Sequence, residues 1–221
     1  VVEANAVDPT LDAVDTGTSG ERTLQCRYGT QARADAFYRN QVLDHLNVAM
    51  RDFIALQTMV FIASANAQGE ADSSFRAGPA GFVRVLDERT LCYPEYRGNG
   101  VMASLGNILE NPHIGLLFVD FTVSKIGLHV NGSAGILAND ELAHHPGVTT
   151  AVAGDLAETG GRRPERWVVV AVSEAYVHCS KHIPRMRPAT ADEIVWGTDN
   201  VTAKGGDHFQ ARASKRASPA G

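Results

Sequence analysis

The chain has 221 residues, 44% of them hydrophobic, which is enough to build the core of one large domain. Its 25 acidic and 20 basic residues leave a net charge of −5, and neither sign forms a long block outside the C-terminal tail, so no nucleic-acid partner is expected. The longest apolar runs, 114–119 and 167–172, fall well short of the ~20 residues of a membrane-spanning helix, and no basic segment followed by an apolar stretch opens the sequence. The expectation is a soluble, cytoplasmic protein with no membrane partner.

Residues 1–22 are rich in Asp, Thr, Gly and Ala without apolar periodicity and read as a flexible arm. From Ala34 to Gln57, Phe37, Val42, Leu43, Leu46, Met50, Phe53 and Ile54 recur at steps of three and four, the spacing of one helix face. This is one helical stretch or two helices broken near Asn47, whose side chain is suited to cap the second.

The period then changes. Thr58–Ala65 is rich in β-branched and apolar residues, Asn66–Gly69 has turn chemistry, and Ala71–Arg76 is placed to return as a second strand. Further strands are expected at Phe82–Leu86, Thr90–Tyr93, Ile114–Phe121, Ile126–Leu137 and Trp167–Val177. Such closely spaced strands indicate a barrel or sandwich. Asn131-Gly132 suits either a hairpin turn or a bulge within one long strand, and the bulge is the better reading. Residues 139–165 read as a long connection with one short helix, and residues 210–221 as a disordered tail.

Three cysteines, Cys26, Cys92 and Cys179, lie far apart in odd number, which argues against a disulfide framework. The best metal-like group, His178, Cys179 and His182, lacks a second ligand pair at zinc-finger spacing, so no metal site is expected. The most informative local feature is Tyr93-Pro94-Glu95-Tyr96-Arg97-Gly98-Asn99-Gly100, which leads into the helical pattern Val101, Met102, Leu105, Ile108 and Leu109. Asn99 reads as the helix N-cap and Pro112 as its stop. Unpaired amides and the positive end of the helix dipole would gather beside Arg97, a fixed charge matched to phosphate oxygens. A tight turn with a surface arginine would have the same sequence. Neither the Gly-Lys-Ser/Thr ending of nucleotide hydrolases nor a Gly-x-Gly-x-x-Gly fingerprint after a strand is present, and no serine has the flanks of a nucleophile elbow.

The segments Ala71–Gly78, Gly81–Asp87, Tyr93–Gly100, Asn111–Phe118, Leu128–Gly132, Trp167–Val170, Ala175–Ile183 and Lys204–Asp207 resemble, in that order, the pyridoxamine 5'-phosphate oxidase-like FMN-binding family. The likeness runs from about Leu24 to Phe209, and its specificity lies in the ordered series. It implies a mainly β (α+β) fold, a six-stranded split β-barrel with flanking helices spanning residues 23–209, which dimerises with FMN in a groove between subunits. Carried over, Ser73, Ser74, Phe75 and Arg76 would line the flavin and ribityl side, largely through backbone groups. Arg97, Asn99, Gly100 and Val101 would hold the phosphate, and Tyr93 would sit near it. Phe75 and Tyr93 suit a core equally well, and Arg76 could simply pair with Glu70 or Asp72.

The resemblance implies an FMN-dependent oxidoreductase acting on a small organic substrate, with no catalytic residue singled out, because hydride transfer to or from a flavin needs no general acid or base. His129 and His178 lie on strands near the groove and read as structural. Related split barrels offer two alternatives, a flavin- or heme-binding protein without catalysis and a deazaflavin-using reductase, the latter favoured by a basic cleft wider than one phosphate. Two departures stand out. The Arg- and Asp-containing ending that binds substrate in pyridoxamine phosphate oxidase has no match in Val201–Gly221, so vitamin B6 oxidation is not expected. The basic pair of the phosphate loop is also reduced to Arg97, with Asn99 in the place of a second cation.

Overall fold

The computed structural model describes residues 17–187 and 198–212. The chain divides into two compact units, residues 1–42 and 43–221. In the first unit, α1 (Ser19–Tyr28) and α2 (Gln31–Gln41) carry no buried residue. Local chemistry defines α1. Thr18 and Glu21 form a capping box, and Gly29 at φ 64° takes the left-handed turn that ends the helix. Arg22 of α1 pairs with Asp35 of α2 at 2.6 Å. The helix begins inside the segment read as an arm, because a capping box directs helix formation without the apolar period used to search for helices. Residues 1–16 of that arm lie outside the described residues.

The helical stretch over Ala34–Gln57 is two helices, α2 and, in the second unit, α3 (Val48–Ala55). Asn47 caps α3, its Oδ1 accepting from the Met50 amide at 2.9 Å. The second unit is built on a seven-stranded antiparallel sheet in the order β2-β1-β5-β6-β7-β4-β3. Its strands are β1 (Met59–Ala65), β2 (Ala71–Ala77), β3 (Arg84–Asp87), β4 (Thr90–Glu95), β5 (His113–Val119), β6 (Gly127–Leu137) and β7 (Arg166–His178). This is the mixed α+β split-barrel architecture with flanking helices, with seven strands where six were expected. The six came from the resemblance; the residue patterns themselves offered seven segments, and β3 answers Phe82–Leu86 as a short edge strand. Phe82 and Val83, read as its start, are instead buried coil, 2% exposed each, that enters the core ahead of it.

The β1–β2 hairpin closes through Asn66, whose Oδ1 accepts from the Gln68 and Glu70 amides at 3.0 Å each, and Gly69 at φ 82°. Pro94 is tolerated in β4 because β3 pairs only as far as Cys92, so that Pro94 faces β7 alone. β6 is a single long strand, and its register against β7 shifts between Asn131 and Gly132. That is a bulge, as the sequence suggested. Gly132 is required there: a Cβ would overlap the Ala171 carbonyl oxygen.

Alternate residues of β1, β4, β5, β6 and β7 fill the core with Val60, Ile62, Leu91, Tyr93, Leu116, Phe118, Val130, Val168 and Val170. A second cluster gathers Trp167, Cys92, Leu142 and Val152 under the connection between β6 and β7. That connection holds two short helices, α5 (Asn139–Ala143) and α6 (Thr150–Leu156), and a 3-10 turn at Gly160–Arg162, more structure than the single helix expected. The last helix, α4 (Ala103–Glu110), lies between β4 and β5 and ends before Pro112. Among the described residues, no helix is long and apolar enough to cross a membrane. Ala211 and Arg212 begin a helical turn whose amides bond to the Asp207 carboxylate at 2.8 and 3.0 Å. Residues 213–221 of the expected tail lie outside the described residues.

Candidate functional site

A cleft of about 680 Å³ opens where β2, the end of β4, the loop into α4 and the start of β7 meet. Its floor is the Arg76–Glu95 ion pair, with Nε to Oε1 at 2.8 Å and the two side chains 22% and 11% exposed. The Arg76 guanidinium also donates to the Phe75 carbonyl at 3.1 Å and, through Nη2, to Ser104 Oγ at 2.9 Å. Arg76 pairs with neither Glu70 nor Asp72, the partners its sequence neighbourhood offered. Burial pushes the Glu95 carboxyl above the usual carboxylate range, and the Arg76 charge acts in the opposite direction. Tyr96 on the wall is held up to about 12 by burial.

The loop Arg97–Met102 forms one side. Asn99 does not cap the helix: its Oδ1 accepts from the Val101 amide at 2.9 Å, closing a local turn, and α4 begins only at Ala103. Gly100 at φ 83° and Met102 at φ 56° bend the chain between them, and Met102 takes the N-cap position. A Cβ added to Gly98 or Gly100 meets nothing within 4 Å, so the loop backbone faces open space. The sequence therefore placed the anion-binding features near one another, but assigned to a helix terminus what belongs to a turn ahead of it.

Of the residues read as cofactor-binding, Ser74, Arg76, Arg97, Asn99, Gly100 and Val101 line this cleft. Ser73 and Phe75 do not. Side chains alternate along β2, so Ser74 and Arg76 face the cleft while Ser73 and Phe75 point to the other face of the strand. There Phe75, 50% exposed, meets the Phe61 ring at 5.5 Å between centroids. Tyr93 does not line the cleft either. It is fully buried in the core, and among the described residues its hydroxyl has no hydrogen-bond partner. Burial holds that phenol far above its usual range.

Sequence reasoning missed several lining groups: Glu95, Ser104, Met102, Arg166 and Asp199. Arg166 arrives through the antiparallel register that sets it opposite Glu95, a pairing between strands far apart in the chain that no local pattern announces. It donates to Met102 Sδ at 3.2 Å and pairs with Glu165 at 3.3 Å. From the C-terminal segment, Asp199 reaches Arg97 at 2.6 Å and Lys204 at 3.1 Å. The Lys204 bond, followed by the Arg97 charge, holds the Asp199 carboxyl below its ordinary range. Lys204, quoted in the sequence only as part of a resemblance, thus lines the cleft as a further cation. The Arg97–Met102 loop carries one cation, yet the cleft holds four, because strands β2 and β7 and the C-terminal segment supply Arg76, Arg166 and Lys204.

The two histidines sit elsewhere, on the outer face of β6 and β7. His129 Nε2 and His178 Nδ1 are 2.9 Å apart, and the His129 ring stacks on Tyr176 at 4.7 Å. Burial, and next the neighbouring His178, hold His129 below its usual value. Among the described residues no group of three or more His, Cys, Asp and Glu is arranged to hold a metal. Cys26 and Cys179 are exposed and Cys92 is buried, all of them free.

Among solved structures, the chain is similar to HupZ from Group A Streptococcus, with 23% identity over 58% of this chain and 90% of that one and a TM-score of 0.43. It is similar to HutZ, the heme storage protein from Vibrio cholerae, with 14% identity, 60% and 93% coverage and a TM-score of 0.38. It is also similar to Rv2991, a conserved hypothetical protein from Mycobacterium tuberculosis, with 14% identity, 69% and 97% coverage and a TM-score of 0.43. No curated protein matches. Residues 46–179, which contain all seven strands and α4, match the family model described as pyridoxamine 5'-phosphate oxidase. The chain belongs to the pyridoxamine 5'-phosphate oxidase family.

Proposed function

We propose that the chain binds FMN in the β2–β4–β7 cleft and works as a flavin oxidoreductase on a small organic molecule. One observation carries the reading: Arg76, Arg97, Arg166 and Lys204 converge on a single cleft beside the open backbone of Gly98–Gly100. Its 680 Å³ lies within the ~300–1,000 Å³ span of small-molecule sites. The donor set fits a phosphorylated cofactor. Arg97 and Lys204 are exposed enough to meet a phosphate, and Arg76, fixed by Glu95 and Ser104, adds a positive charge that costs no reorganisation. Val101, Met102 and Leu105 supply the apolar wall that a ring system needs, and Ser74 and Ser104 supply hydroxyls.

Bound FMN would supply the hydride or electron transfer. The residues of this chain would bind and orient it. On the opposite face of the sheet from this cleft, Phe61 and Phe75 are exposed, 37% and 50%, in one cross-strand row with Leu117 and Tyr176. We take that apolar face as the contact of a homodimer, since exposed apolar surface beside the edge strand β2 calls for a cover.

The test is an absorption spectrum of the purified protein, followed by identification of the small molecule that acid or heat releases. Flavin bands with FMN released support the proposal, and release of heme or a deazaflavin assigns the chain to one of those branches. A colourless protein that fails to take up added FMN rejects it. Sedimentation reports the oligomeric state, and a monomer at micromolar concentration rejects the dimer.

A further inference from the structure

A second recess of about 520 Å³ adjoins the cofactor cleft and shares Arg97, Glu165 and Arg166 with it as a common wall. Its far side is the Gly160–Pro164 turn, which brings Arg163 to the rim. Local bonds hold this turn in place. The Asn139 side chain donates to the Pro164 carbonyl at 3.0 Å and accepts from the indole of fully buried Trp167 at 3.0 Å, and the Glu165 amide bonds to the Glu95 carbonyl at 2.9 Å. The recess is thus part of the fixed frame of β4 and β7.

Three arginines face one glutamate in the recess, and with Arg97 paired to Asp199 an excess of one positive charge remains, in a chain whose net charge is −5. A local charge opposite in sign to that of the whole molecule concentrates anions at that spot. Arg163 and Arg166 are also poorly satisfied. Among the described residues no acid pairs with Arg163, which is exposed. Arg166 points one guanidinium nitrogen at the Met102 thioether, a weak acceptor for so strong a donor, and its Glu165 contact is long at 3.3 Å. Planar guanidinium groups in this state match the paired oxygens of a carboxylate or phosphate.

We infer that this recess is a second anion subsite, formed by Arg163 and Arg166 with Arg97 at its inner edge, which takes the carboxylate or phosphate group of the molecule that exchanges electrons with the cofactor. The inference rests on the flavin reading of the neighbouring cleft. It narrows the substrate to an anionic small molecule whose charged end is anchored on the far side of the shared Arg97–Arg166 wall, leaving the uncharged part free to reach the ring.

The test uses the full chain loaded with FMN, with inorganic pyrophosphate as probe and titration calorimetry as readout. Pyrophosphate binds the loaded protein, Arg163→Ala weakens it about tenfold, the loss of one charge-assisted contact, and Arg163→Lys restores part of the loss. FMN affinity stays within about twofold in both variants, because Arg163 lies outside the cofactor cleft. No binding to the loaded wild type, or the same affinity in Arg163→Ala, overturns the inference. If the chain takes up no FMN, the cofactor proposal fails by itself. Pyrophosphate titrated into the cofactor-free chain then still reads the recess: dependence on Arg163 keeps it as an anion site, and independence removes it.

Discussion

Arg97 offers the sharpest test of the cofactor cleft, because the structure shows it engaged with a carboxylate that a bound phosphate would have to displace. Its guanidinium lies 2.6 Å from Asp199, with the two side chains 57% and 61% exposed. A charge-assisted contact to a phosphate contributes about 1.5–3 kcal/mol, or roughly ten- to 150-fold in affinity. Arg97 is exposed and must first leave Asp199, so Arg97→Ala is expected near the lower end of that range, about tenfold. Asp199→Asn removes the competitor and is expected to tighten FMN binding up to severalfold. In the Asp199→Asn background Arg97→Ala then costs more than it does in the wild type. Quenching of FMN fluorescence on titration with protein measures all four affinities, and both effects should shrink at high salt, where exposed charges are screened. An Arg97→Ala affinity within about twofold of wild type in both backgrounds would take the loop out of the site. An equal loss in the two backgrounds would show that Asp199 and the ligand do not compete.

Three further outcomes follow from the geometry. Arg76→Ala leaves the Glu95 carboxylate, 8% exposed, buried without the cation it is bonded to, and should destabilise the fold by about 3 kcal/mol in urea unfolding; Glu95→Gln in the same chain should recover much of this, and simple additivity of the two changes would refute the pair. Tyr93→Phe deletes a buried hydroxyl with no partner among the described residues, so stability should hold or rise by up to about 1 kcal/mol with FMN affinity unchanged, and weaker FMN binding would return Tyr93 to the site. His129, held below the ordinary imidazole value by burial and by His178, stays neutral in the fold while the unfolded chain takes up a proton; stability should therefore fall as pH drops through about 6.5 toward the folded value, His129→Gln should flatten that slope, and an unchanged slope would refute the assignment.

How far the sequence reached depends on the range of the interaction that decides each feature. The strands were legible because alternation and β-branching act within a few residues, and the Asn131-Gly132 bulge because one glycine at one contact enforces it. The start of α1 was missed although it is equally local, because its Thr18–Glu21 box has no apolar period behind it. Phe82 and Val83 were assigned to a strand on residue type alone, yet their burial is satisfied by coil entering the core. In each case, the reading held where one local rule acted and failed where a second one competed with it.

The site divides along the same line. Four consecutive residues, Ser73–Arg76, resembled a cofactor strand; of their side chains, period-two geometry turns only those of Ser74 and Arg76 toward the cleft. Sequence could not show that Arg76 would be fixed by Glu95, which lies on β4 and reaches it only once β2 and β4 are brought together across the sheet. Nor could it show that Arg166 of β7 and Lys204, from a segment beyond residue 179 where the family match ends, would join Arg97 in one cleft. Lys204 and Asp199 both lie in that segment, so the cation that would assist a phosphate arrives together with the carboxylate that competes for Arg97. That stretch, outside the matched family span, adds one cation and one carboxylate to the cleft, no net charge, and decides how far Arg97 is engaged. Affinity for an anionic cofactor should accordingly respond more to changes at 199–204 than the single cation of the Arg97–Gly100 loop would suggest.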